Sequence, residues 1–113
     1  MQIPEEAVLL RIFIGETEQY EHHPLFEAIV KKARETGMAG ATVLRGPLGY
    51  GKSSHLHTEK ILRLSDDLPI VIELVDSPDK IDRFTAAVGP MIGSGLITLE
   101  KVRVLRYGSA TQP

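Results

Sequence analysis

The chain has 113 residues, 42% of them apolar and 25% charged, with a formal net charge of -2 and no cysteine. That length suits one domain with one modest core, and the near-neutral balance argues against nucleic acid or an anionic membrane surface as the main partner. Disulfides and thiolate chemistry are excluded, and the opening MQIPEEAVLLRIFIG lacks both the basic start of a secretion signal and the length of a membrane span, so a cytoplasmic location is expected.

In chain order, residues 8–14 (VLLRIFI) are rich in β-branched and aromatic types and predict a buried strand, interrupted by Arg11 and ended by Gly15. Over residues 24–36, Leu25, Phe26, Ile29, Val30 and Ala33 recur at helical spacing, with Pro24 suited to the first turn and Gly37 to the C-terminal cap. Residues 41–44 predict a second strand. Residues 69–75 predict a third, closed by Asp76 and Ser77 as a cap and Pro78 as a first-turn proline. Ile81, Phe84, Val88 and Met91 mark the core face of a second helix, which Gly89 and Pro90 should end early. After Gly93 and Gly95 comes a last strand region at residues 96–107, whose apolar phase slips between Leu99 and Val102 and predicts a bulge or break. Residues 56–64 fit a short helix or a strand extension, and residues 108–113 read as a frayed tail.

The order β-α-β, long connection, β-α-β predicts an α+β, ferredoxin-like βαββαβ domain: an antiparallel sheet with two helices on one face, spanning residues 1–113 with its core at about 8–107. Leu9, Phe13, Val71 and Val75 would point to the other face and leave an apolar surface that calls for an oligomer. The connection over residues 45–68 is long enough to predict a binding loop.

That loop begins with GPLGYGKS at residues 46–53, which fits the phosphate-cradling pattern G-x-x-x-x-G-K-[ST] at every fixed position. A nucleotide hydrolase reading would give Lys52 and Ser53 to the phosphates and Asp76, at the end of IVIELVD, to magnesium. Its context disagrees, because such loops join the first strand of a parallel sheet directly to a long helix, and here the glycines follow the second strand. A plainer account is that the glycines allow tight turns. A third is a loop that contacts an anion without cleaving it. The chain also has no asparagine, so an acylphosphatase-type arginine-plus-asparagine site falls.

The segments LLRIFIGE, PLFEAIVKKARETGMAGATVLRG, GYG, HTEKILRLSDDLPIVIELVD and GLITLEKVRVLRY closely resemble the small prokaryotic PII-like family known as domain of unknown function 190, over nearly the whole span from Val8 to Tyr107. The resemblance implies a homotrimeric signalling protein, no catalytic activity, and a nucleotide site in the cleft between subunits. It implies that the long connection corresponds to the PII T-loop, with Arg45, Gly46, Gly49, Tyr50, Gly51, Lys52 and Ser53 as candidate contacts. Gly93 and Gly95 match the PII B-loop turn, but Leu96 and Ile97 follow where PII proteins have a lysine. VRVLR offers Arg103 and, less closely, Arg106 as phosphate contacts. With few cations at the site, AMP or ADP is favoured over ATP, with no firm cofactor beyond that. The family's association with fluoride-channel proteins implies a membrane transport or channel protein as a possible partner, and a structural trimeric scaffold for such a transporter is the remaining alternative.

Other residues invite local readings. His22 and His23 precede a helix and need no metal. His55 and His57 would share a face of an extended segment, where a metal would still need a third ligand. Asp66 and Asp67 suit a turn cap, Arg11 and Glu73 a paired couple within the sheet, and Tyr50 either local packing or stacking on a base.

Overall fold

A computed structural model of the protein describes residues 5–50 and 67–108. The described chain forms β1 (Glu6–Gly15), β2 (Gln19–Tyr20), β3 (His23–Pro24), α1 (Leu25–Glu35), β4 (Thr42–Arg45), β5 (Pro69–Asp76), α2 (Pro78–Val88) and β6 (Leu96–Arg103), with a short 3-10 turn at Gly89–Met91 after α2. Four strands make one antiparallel sheet in the order β4-β5-β1-β6, and β2 pairs with β3 in a separate ribbon. This is the ferredoxin-like arrangement expected, with the segment between β4 and β5 as the long connection.

Alternation along the central strands decides the two faces. Leu10, Ile12 and Ile14 of β1 and Ile70, Ile72 and Leu74 of β5 are buried against Leu25, Ile29 and Ala33 of α1 and Ile81, Phe84 and Val88 of α2. The intervening positions form the opposite face, where Leu9 lies across from Val75, Arg11 from Glu73 and Phe13 from Val71. These apolar residues are half-buried within the chain, and among the described residues no helix covers them. Arg11 Nε donates to Glu73 Oε2 at 2.9 Å, and its Nη1 lies 3.3 Å from Glu100 Oε1, so the couple anticipated within the sheet forms and is joined by a second carboxylate. The hydrogen bond to Glu73 raises the Arg11 pKa still further above its ordinary value.

The helix ends follow their signals. At α1 the chain passes into Gly37 at φ 76, and the N–H groups of Gly37 and Met38 close back on Arg34 and Ala33. Ser77 caps α2, accepting from Lys80 N–H at 3.3 Å with Pro78 next, and α2 ends at Val88 before Gly89 and Pro90. Among the described residues no helix is long and apolar enough to cross a membrane.

Two details depart from expectation. β6 runs unbroken, pairing with β1 from Leu96 opposite Phe13 to Arg103 opposite Glu6, so the predicted bulge is absent. The phase slip needs none, because β6 is an edge strand whose Leu96 and Leu99, on opposite faces, are each 56% exposed. The hairpin of β2 and β3 was not anticipated. Its turn places Glu21 (φ 50) and His22 (φ 68) in the left-handed region without a glycine or asparagine, so the usual signal is missing. His23 therefore pairs with Tyr20 rather than simply preceding the helix. Residues 56–64, His55 and His57 lie outside the described residues.

Candidate functional site

The strand ends gather the loop stems at one end of the sheet. β1 finishes at Gly15 opposite Pro69, the first residue of β5, and β4 finishes at Arg45 opposite Ile70. The connection over residues 46–68 thus leaves and returns at this end. β6 starts here too, since Leu96 pairs with Phe13, so Gly93, Ser94 and Gly95 lie at the same end on the opposite edge. Three strand spacings separate the two edges, roughly 14 Å.

Several of the glycines owe their identity to packing. Gly46 N–H donates to Pro69 O at 2.8 Å, and a Cβ at Gly46 would sit 2.8 Å from Pro69 Cγ; at Gly49 the corresponding distance is 3.0 Å. A Cβ at Gly95 would meet the Phe13 carbonyl oxygen at 2.8 Å. Gly93 is different: apart from its chain neighbours, no atom of the described residues lies within 4 Å of such a Cβ. Beyond the stem, Leu48 is 56% and Tyr50 71% exposed. Gly51, Lys52 and Ser53 lie outside the described residues.

Acidic side chains brace this end. Asp67 accepts from the Thr17 N–H at 3.1 Å and the Thr17 hydroxyl at 2.8 Å, so it caps the end of a neighbouring strand rather than only its own turn. Glu18 accepts from Gly15 N–H at 2.6 Å. Glu16 donates its main-chain N–H to Leu68 O at 2.8 Å, and its Oε2 pairs with Arg45 Nη2 at 2.5 Å. Glu16 was not anticipated. The available signal was an acidic residue directly after the glycine that ends β1, but its partner is 29 positions away and visible only once the strands are paired.

The last two candidates lie elsewhere. Arg103 is opposite Glu6 at the start of β1, with its Nε 2.5 Å from Glu5 Oε1. Seven residue steps of β6 separate it from Leu96, roughly 23 Å. Arg106 follows beyond Arg103, and Tyr107 then donates its hydroxyl to Ala39 O at 2.9 Å, which keeps this segment at the far end. One subunit therefore places Arg45, Gly46, Gly49 and Tyr50 on one edge and Gly93 and Gly95 on the other edge of the same end of the sheet, and leaves Arg103 and Arg106 at the far end.

Asp76 also stands at the far end, as the last residue of β5, roughly 23 Å from Pro69. It is fully buried: Ala39 N–H donates to Oδ2 at 2.9 Å, Ser77 N–H to Oδ1 at 2.7 Å, and Lys80 Nζ lies 3.8 Å from Oδ2. Its carboxylate is thus committed to joining the α1–β4 connection to the start of α2. The magnesium role that a hydrolase would require of it does not fit, since the glycine stem is at the other end of the sheet. The antiparallel sheet, with helices on one face, is likewise not that of a phosphate-loop enzyme.

Comparison with known proteins agrees with this fold. The family model described as "DUF190: Uncharacterized ACR, COG1993" matches residues 7–104. The chain belongs to the DUF190 family. Among curated DUF190-like relatives, a UPF0166 protein of Aquifex aeolicus is 41% identical over 97 residues, covering 86% of this chain and 91% of that protein. A UPF0166 protein of Methanocaldococcus jannaschii is 32% identical over 102 residues, covering 89% and 94%. Among solved structures, CPII from Thiomonas intermedia K12, a nitrogen regulatory PII-like protein bound to ADP, AMP and bicarbonate, superposes with a TM-score of 0.63 at 14% identity, covering 90% of this chain and 96% of that one. At that identity the likeness establishes a shared PII-like fold for this DUF190 protein.

Proposed function

We propose that this DUF190 protein is a regulatory, non-catalytic homotrimer that binds an adenine nucleotide, AMP or ADP in preference to ATP, in the clefts between subunits. The carrying observation is the division of the candidate residues. Arg45, Gly46, Gly49, Tyr50, Gly93 and Gly95 gather at one end of the sheet, while Arg103 and Arg106 lie roughly 23 Å away, so a site using both groups needs a second copy of the chain. The open sheet face supplies the means of assembly, since Leu9, Phe13, Val71 and Val75 line it with no covering helix among the described residues. The binding of ADP and AMP by CPII, which shares the fold, supports the ligand class. Occupancy would be transmitted through the T-loop-like segment after Arg45, by ordering or releasing it. The protein would act in the cytoplasm, with a membrane transport or channel protein as one candidate reader of the loop.

Calorimetric titration with AMP, ADP and ATP, run beside a phosphate-release assay and sedimentation, tests this reading. Trimers that bind AMP or ADP without turnover are expected. Sustained phosphate release from ATP, lost in Lys52→Ala, would instead favour the phosphate-loop hydrolase. A trimer that binds no nucleotide would favour a structural scaffold.

A further inference from the structure

The loop end of the sheet carries a charge balance that bears on its ligand. The carboxylates of Glu16, Glu18 and Asp67 stand there with the guanidinium of Arg45. Glu18 and Asp67 accept hydrogen bonds from Gly15 and Thr17 and so hold the strand end together. Glu16 acts on Arg45 directly. Its main-chain N–H is fixed to Leu68 O at 2.8 Å, its side chain is 24% exposed, and its Oε2 is 2.5 Å from Arg45 Nη2. The cation at the root of the loop is therefore already engaged by an internal anion.

An incoming phosphate would either take the remaining N–H donors of Arg45 beside that carboxylate or displace it from Nη2. In either case the Glu16 main chain stays at this end of the sheet, held to Leu68 just before β5, so its carboxylate remains in the neighbourhood of the cation. It then faces the phosphate as a like charge, and the repulsion grows with each further phosphoryl group. Resting on the nucleotide-site reading above, we infer that Glu16 is a specificity-determining residue of that site, competing with the ligand for Arg45 and selecting for low phosphate charge.

The test is calorimetric titration of wild-type protein and Glu16→Gln with AMP and with ADP at low salt. Glutamine keeps the side-chain size, and the Leu68 bond is made by the main chain, so matching thermal melts will confirm an intact fold. Glu16→Gln is expected to tighten AMP by about two- to fivefold, the range of an exposed ion pair, and ADP by more. High salt should shrink the gain. If wild type binds and Glu16→Gln binds equally or more weakly, Glu16 is a structural staple and the inference is overturned, while the nucleotide site stands. Equal tightening of AMP and ADP overturns the selection by charge. Absence of binding by both proteins overturns the inference together with the reading it rests on.

Discussion

Asp76 and Ala39 are 37 positions apart in sequence, yet the Asp76 carboxylate, fully buried, accepts the Ala39 N–H at 2.9 Å. The same carboxylate takes the Ser77 N–H, and Lys80, besides facing Asp76, donates from Nζ to Gly37 O at 2.6 Å. One acidic side chain thus ties the exit of α1 to the entry of α2. Replacing it with alanine would leave two amide donors without their acceptor at a closed position. Asp76→Ala is expected to lower stability by about 3 kcal/mol, measured by urea denaturation. Binding per folded molecule should be unaffected, and a selective loss of nucleotide affinity at full stability would contradict this structural role.

Gly93 and Gly95 look equivalent in sequence and are not equivalent in space. A methyl at Gly95 would press on the Phe13 carbonyl at 2.8 Å, where the neighbour is backbone and cannot turn aside. Gly95→Ala should cost about 1–3 kcal/mol in thermal or chemical unfolding. Gly93→Ala has open space and should change stability by no more than about 0.5 kcal/mol. If the turn wraps a phosphate, however, Gly93→Ala should weaken nucleotide binding. Equal stability losses in the two variants would refute the distinction.

How much of this was legible before the strands were paired depended on the range of the signal. Alternation in β1 and β5 revealed both sheet faces, because Leu10, Ile12 and Leu74 alternate with Leu9, Phe13 and Val75 within a few residues. Helix ends at Gly37 and Ser77 were equally local. The hairpin turn at Glu21 and His22 was hidden, since side chains that seldom adopt a left-handed backbone occupy it. The Glu16–Arg45 pair depends on strand order, which no local pattern encodes. The separation of Arg103 from the glycine loops could have been deduced, because β6 runs antiparallel to β1 and must carry its last residues away from the loop end.

Phe13 offers a direct test of assembly. It lies on the uncovered face between Val71 and Leu96, close to the centre of an apolar strip. Phe13→Glu should leave the helix-side core untouched and place a charge where another subunit would dock. Sedimentation is expected to show a smaller species with unchanged helix content by circular dichroism. An unaltered trimer would mean that this face is not the contact.

The division of the site between subunits can be tested by complementation. Arg45→Ala and Arg103→Ala should each weaken nucleotide binding about 10- to 100-fold, the cost of losing a charge-assisted contact. The two variants still differ in what they retain: one keeps Arg103 and the other Arg45. On the proposed reading, each cleft of a cyclic assembly would take Arg45 from one subunit and Arg103 from its neighbour. Unfolding and refolding an equal mixture should therefore restore wild-type affinity to roughly one cleft in four, by random assortment around the ring. Titration of the refolded mixture would detect this as a minor tight-binding fraction absent from either variant alone. Failure to recover any tight sites, in a mixture shown by mass spectrometry to contain mixed trimers, would mean that the two arginines do not serve one cleft.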